Sequence, residues 1–161
     1  MDVCYINPFL YALSTITQSM LGTKVDFGKP SIRRADDCRA DVVGMIEFSG
    51  EASGAVVLAF QKDVAVGIAS KFAGTALTVE SPDFAEAFGE FVNMVADGAK
   101  AQLLNLNVII ALPSVIVGDQ RHLASSEEHS CLIIPCRTCF GDYIVYVTLK
   151  INKTAPVGVA G

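Results

Sequence analysis

Residues 81–104 constrain the fold more than any other stretch, because their apolar side chains recur at a helical period. At about 100° per residue, these side chains gather on one face, which would pack the helix against a core. Ser81 is the predicted N-cap, Pro82 stands at the first helical position, and Asp83 lies in the first turn, where the helix dipole favours an acid. The members of the apolar face are Phe84, Phe88, Phe91, Val92, Val95, Ala99 and Leu103.

The opposite face of this predicted helix is polar and carries Glu86, Glu90, Asn93, Asp97 and Lys100. An amphipathic helix must present polar side chains to water, so an ordinary solvated surface is the default interpretation.

Gly89 and Gly98 lie inside the same helix, where a glycine costs up to about 1 kcal/mol relative to alanine. Gly89 flanks Glu90 and Asn93, so its missing side chain suits close approach by another molecule. It also suits close packing between helices, and the sequence leaves both interpretations open.

Three blocks of sequence extend the pattern beyond this helix. They are Glu90-x-x-Asn93-Met94-Val95-Ala96-x-x-Ala99-Lys100, Gly44-Met45-Ile46-x-x-Ser49-Gly50-x-x-Ser53-Gly54-x-Val56-Val57-Leu58 and Pro113-Ser114-Val115-Ile116-Val117-Gly118. Glu-x-x-Asn alone recurs by chance, but the three blocks together resemble the CheX family of chemotaxis phosphatases, relatives of CheC and FliY. The resemblance runs from about Phe9 to Leu149.

The resemblance implies a phosphatase that hydrolyses the aspartyl phosphate of a CheY-like response regulator. Asn93 would orient the attacking water, Glu90 would bond a lysine of the regulator, and Glu86 and Asp97 are predicted to bind the partner. The regulator would hold Mg²⁺, so no cofactor or metal is expected in this chain. The alternative is a non-catalytic binding module that sequesters the regulator.

The chemistry suits these residue types, because phosphoryl transfer to water depends on positioning and charge stabilisation. An amide both accepts and donates hydrogen bonds, so Asn93 can hold a water in line with phosphorus. The family commonly has Asp or Ser four residues before the glutamate, whereas this chain has the longer Glu86 there.

An internal repeat predicts the fold class. Each copy reads as a helix, an extended segment and a hairpin, so we expect an α+β fold of two pseudo-symmetric halves, with helices packed on a shared, largely antiparallel sheet. Glu90 and Asn93 fall on Asn7 and Leu10 of the first copy, so a single site is expected. The matches that define the offset of 83 positions are Leu21, Val25, Pro30 and Ser31 with Leu104, Val108, Pro113 and Ser114.

Periodicity and turn residues predict the remaining elements. Helices are expected over 7–21, with Asn7 as the cap, and over 62–72, and they end at Gly22 and Gly74. Gly141-Asp142 is the predicted turn between the last two strands. Extended segments are expected over 25–32, 42–49, 55–60, 108–117 with a break at Pro113, 131–138 and 143–151.

Composition limits the class of protein. We expect a single CheX-like domain over residues 1–152 and a frayed tail over 153–161. Hydrophobic residues make up 52% of the chain, yet no apolar run is long enough to span a membrane, so a soluble, cytoplasmic protein is expected. The net charge of −5 argues against nucleic acid and anionic membranes as partners. The resemblance also implies a homodimer, paired through sheet edges.

Cys131, Cys136 and Cys139 match the spacing of the first three ligands in a plant-type iron–sulfur run. No cysteine follows to complete the set, and a strand here would spread the side chains over both faces. Buried or half-buried thiols are therefore favoured over metal ligands. His122 and His129 lie in a predicted polar loop over 118–130 without metal-ligand spacing, which favours solvated histidines over catalytic ones.

Overall fold

The computed structural model describes residues 2–34, 39–118 and 130–152, in which three α-helices pack on one face of an eight-stranded antiparallel sheet. A short 3₁₀ helix (Val3–Tyr5) precedes the first helix, and a π-helical turn (Thr17–Leu21) follows it. The elements in chain order are α1 (Asn7–Ile16), β1 (Asp26–Phe27), β2 (Ser31–Arg34), β3 (Val42–Gly50), β4 (Ala52–Phe60), α2 (Lys62–Ala73), α3 (Phe84–Gln102), β5 (Val108–Ile110), β6 (Ser114–Val117), β7 (Ser130–Thr138) and β8 (Gly141–Ile151).

The sheet confirms the predicted repeat and adds an exchange between its halves. The strand order is β1-β7-β8-β4-β3-β5, with β2 also beside β7 and β6 also beside β3. Phe27 of β1, in the first half, pairs with Cys136 of β7 in the second half. Ile110 of β5, which lies 83 positions after Phe27, pairs with Phe48 of β3 in the first half. The two hairpin partners, Phe48 and Cys136, are 88 positions apart. Each half therefore places its broken edge strand against the hairpin of the other half, and the two halves form one sheet.

The aromatic face of α3 lies against the middle of this sheet, as its period predicts. The rings of Phe60 and Phe88 meet edge to face, with 5.1 Å between centroids. Val92 sits over Gly44 of β3, where an added Cβ would lie 2.7 Å from its Cγ2 atom. Because Phe88, Val92 and Phe91 are all buried, α3 has one orientation about its own axis.

The predicted start of this helix is two residues too early. The Ser81 hydroxyl accepts a hydrogen bond from the amide of Thr78 at 2.8 Å, which closes the preceding turn. Helix α3 begins at Phe84 with Asp83 in the N-cap position, and no side chain caps it. Ser81 is therefore a turn residue, and Pro82 precedes the helix.

Two other predicted residue roles differ in the structure. Asn7 does not cap α1, because Ile6 is the N-cap and no side-chain cap bond forms. Gly141-Asp142 is not the hairpin turn, since both residues are already paired in β8 and the turn is formed by Cys139 and Phe140. Gly141 still has a positive φ of 126°, which explains the glycine beside the turn.

Several predicted segments agree with the structure, and others fall outside it. Gly22 and Gly74 end their helices in left-handed conformations, and the edge strand breaks between β5 and β6, next to Pro113. Most of the predicted loop over 118–130, with both histidines, and the predicted tail over 153–161 lie outside the described residues. Within the described ranges, no helix is both long and apolar enough to cross a membrane.

Candidate functional site

The candidate site is the outward face of α3, which the packing of its aromatic face turns away from the sheet. Glu90 is exposed and Asn93 is half-buried, three residues further along the same face. Side chains three apart on a helix are neighbours, with Cβ atoms about 5–6 Å apart. Glu86, Asp97 and Lys100 are also exposed, so the structure brings the predicted polar face together as one continuous surface.

The side chains of Glu90 and Asn93 have no hydrogen bond or ion pair with any residue in the described parts of the chain. Both are held by a rigid helix, so their positions depend on the backbone rather than on internal contacts. A carboxylate accepts hydrogen bonds and pairs with cations, whereas an amide can accept and donate at once. The face can therefore bind a cationic group and orient a polar molecule beside it.

Gly44 positions α3 on the sheet. The sequence analysis named Gly44 only as a member of one of the three blocks that resemble the CheX family. Its bare Cα admits Val92, and a Cβ there would clash with both methyl groups of that valine, at 2.7 and 3.1 Å. A glycine inside a strand indicates close approach of another element, and this signal was available in the sequence. Gly44 thus sets how deeply α3 sits on β3.

Cys131 and Cys136 point to opposite faces of β7, because their positions differ by five and side chains alternate between the faces of a strand. Cys136 lies in the core under the helices, while Cys139 is exposed in the following turn. The three thiols therefore cannot surround one metal cluster. Among the described residues, no group of three or more His, Cys, Asp or Glu side chains could hold a metal ion.

Burial changes the chemistry of Cys136 and its cross-strand neighbour Tyr143. Loss of solvent raises the pKa of the Cys136 thiol to about 12. Burial likewise raises the pKa of the Tyr143 hydroxyl well above its ordinary value, and the nearby Cys136 adds to the shift. Both groups are neutral across the physiological range, so they act as core side chains.

The chain belongs to the CheX family. The family described as "Chemotaxis phosphatase CheX" matches residues 42–137, which include β3, β4, the whole of α3 and most of β7. No curated protein sequence matches the chain significantly.

Solved structures of related proteins share the whole fold. A CheC-like superfamily protein from Shewanella sp. PV-4 is 25% identical with a TM-score of 0.82, and the match covers 93% of this chain and 99% of that protein. CheX from Desulfovibrio desulfuricans is 25% identical with a TM-score of 0.80, and it covers 91% and 99%. A CheX–CheY–BeF3–Mg²⁺ complex from Borrelia burgdorferi, at 22% identity and a TM-score of 0.73, covers 91% and 97% and shares the fold.

We expect the core position of Cys136 to protect it from alkylation. At about pH 8.5, the ordinary pKa of a cysteine thiol, iodoacetamide should label exposed Cys139 quickly and Cys136 only after unfolding. Below pH 12 the raised pKa keeps the Cys136 thiol protonated, so moderately alkaline conditions should not change this order. Peptide mass spectrometry measures both sites, and equal labelling rates in the native protein would contradict the assignment.

Proposed function

We propose that this protein hydrolyses the aspartyl phosphate of a CheY-like response regulator, using the outward face of α3. The observation that carries the proposal is the exposed Glu90 beside the half-buried Asn93, both without a described internal partner, in a chain of a chemotaxis phosphatase family. A CheX–CheY complex with the same fold supports a CheY-like partner.

Asn93 would orient the attacking water. Its amide oxygen accepts a hydrogen bond from the water, and its NH₂ group donates to an oxygen nearby, so the water is held in line with phosphorus. The water oxygen then bonds to phosphorus while the bond from phosphorus to the aspartate oxygen breaks. The products are inorganic phosphate, which keeps both protons of the water as H2PO4⁻ and can release one of them to solvent, and the free aspartate carboxylate. An amide cannot act as a strong base, so the acceleration would come from positioning.

Glu90 would anchor the regulator through an ion pair with one of its lysines. The exposed carboxylates of Glu86 and Asp97 lie on the same face and extend its negative charge to either side. Such a row favours a partner surface with cationic groups and steers its approach. The Mg²⁺ that phosphorylated receiver domains require would be held by the regulator, and the proposed role of this chain needs no metal.

We expect Asn93→Ala and Glu90→Ala to abolish most phosphatase activity and to affect different steps. Asn93→Ala removes the orienting amide, so kcat should fall by about a hundredfold with little change in binding. Glu90→Ala removes an ion pair with the partner, so affinity should fall by about tenfold or more as well. Phosphate release from a phosphorylated regulator, with this protein at substoichiometric concentration, measures turnover.

A matched control for charge is Glu47→Ala, since Glu47 is exposed on the sheet face opposite the helices. This variant should retain activity, and the free energy of unfolding should change by no more than about 0.5 kcal/mol in all three proteins. Wild-type turnover in both α3 variants would show that the site assignment is wrong. Binding of the regulator with one-to-one stoichiometry and no turnover by the unmodified protein would favour the sequestering module instead.

Glu86 and Asp97 should contribute to association more than to chemistry. Glu86→Gln and Asp97→Asn remove charge while preserving shape, so each should slow association with the regulator and reduce the salt dependence of the rate. The value of kcat at saturating regulator should remain near that of the unmodified protein. Stopped-flow association rates at two ionic strengths test this, and unchanged rates at low salt would exclude both residues from the interface.

We also propose a cytoplasmic homodimer paired through sheet edges. The outer strands are short, and apolar side chains at both edges are exposed, including Ile32 on β2 and Ile109 on β5. An exposed strand edge with apolar side chains can be covered by a second copy. Light scattering at micromolar concentration should give twice the chain mass, and Ile32→Lys or Ile109→Lys should give a monomer. A monomeric unmodified protein would contradict the proposal.

A further inference from the structure

The two glycines inside α3 need separate explanations, because glycine weakens a helix interior relative to alanine. Neither has a positive φ, so backbone conformation does not require a glycine at either position. A glycine that its backbone does not require indicates that something comes close to the missing side chain. The neighbours of Gly89 and Gly98 therefore decide what each one is for.

Packing within the protein explains Gly98. A Cβ added at Gly98 would lie 3.0 Å from the Cβ of Ala12 on α1, which is tighter than the great majority of such contacts. Ala12 is itself buried and small, so the two helices approach each other through this pair. A larger residue at position 98 would push α1 away from α3.

Packing against the described residues does not explain Gly89. A Cβ added there would have one neighbour within 4 Å, the Cγ2 atom of Val115 on β6, at 3.8 Å. That distance is an ordinary van der Waals contact, so alanine would fit the described structure and would strengthen the helix. Position 89 therefore has no side chain, although the described structure has room for a methyl group there.

The position of Gly89 on the helix indicates what the open space serves. Gly89 lies one turn before Asn93 and next to Glu90, on the edge of the outward face. Helical side chains lean toward the N-terminus, so the amide of Asn93 extends over the turn that contains Gly89. A methyl group at position 89 would therefore stand beside that amide.

We propose that Gly89 is a specificity-determining residue, whose bare backbone lets the phosphoryl-bearing loop of the response regulator come close to Asn93. This inference rests on the proposed function, because it names how the partner enters the same site. An added side chain would hold the loop away from the helix and displace the phosphoryl group from the water on Asn93. A displacement of about 1 Å can lower a rate a hundredfold, so a small group is sufficient.

The test compares Gly89→Ala with Gly98→Ala, which make the same chemical change nine residues apart in one helix. Gly89→Ala should raise or preserve the melting temperature and lower kcat/KM by about ten- to a hundredfold. Gly98→Ala should lower or preserve the melting temperature and keep kcat/KM near that of the unmodified protein. A second variant, Gly89→Leu, should weaken binding of the BeF3⁻-loaded regulator further than Gly89→Ala does.

Wild-type kcat/KM and wild-type affinity in Gly89→Ala would overturn the inference. Equal loss of activity in Gly89→Ala and Gly98→Ala would also overturn it, because a stiffer helix would then be the common cause. The proposed function fails separately, if the unmodified protein binds the loaded regulator but does not release phosphate. In that case the binding of Gly89→Ala still decides whether position 89 must be bare, and an unmodified protein that does not bind overturns both proposals.

Discussion

The structure depends on the contact between the aromatic face of α3 and the middle of the sheet. Val92 fits over the bare Cα of Gly44, and Phe88 meets Phe60 edge to face. These buried contacts fix the rotation of the helix about its axis, and that rotation points Glu90 and Asn93 outward. Orientation of a water requires a fixed amide, so the packing of the inner face is a condition for the proposed chemistry on the outer face.

The exchange of edge strands between the halves stabilises this arrangement. Strands β1 and β2 belong to the first half but pair with β7, and β5 and β6 belong to the second half but pair with β3. Neither half can therefore complete its part of the sheet alone. The symmetry does not extend to the polar face of α3, because the partly buried Leu10 of α1 packs against the core at the position that corresponds to Asn93.

The two helix glycines show how one residue type serves packing at one position and an open surface at another. A Cβ added at Gly98 would crowd the side chain of Ala12, whereas a Cβ added at Gly89 would lie at an ordinary van der Waals distance from Val115. Sequence spacing alone cannot separate these cases, because both glycines interrupt the same helix and both lie near polar residues. The distinction needs the positions of α1 and β6, because Ala12 lies 86 residues before Gly98 and Val115 lies 26 residues after Gly89.

The sequence by itself determined the amphipathic period of α3, its polar face, the repeat with its offset of 83 positions and the family resemblance, because these depend on local spacing. It misplaced the cap at Ser81, since a hydrogen bond to the Thr78 amide competes with the capping bond. Only the tertiary structure decided which strands pair across the halves, which face of β7 lies under the helices, and that Val92 of α3 packs over Gly44. Those features depend on contacts between segments distant in sequence, whose register no local pattern records.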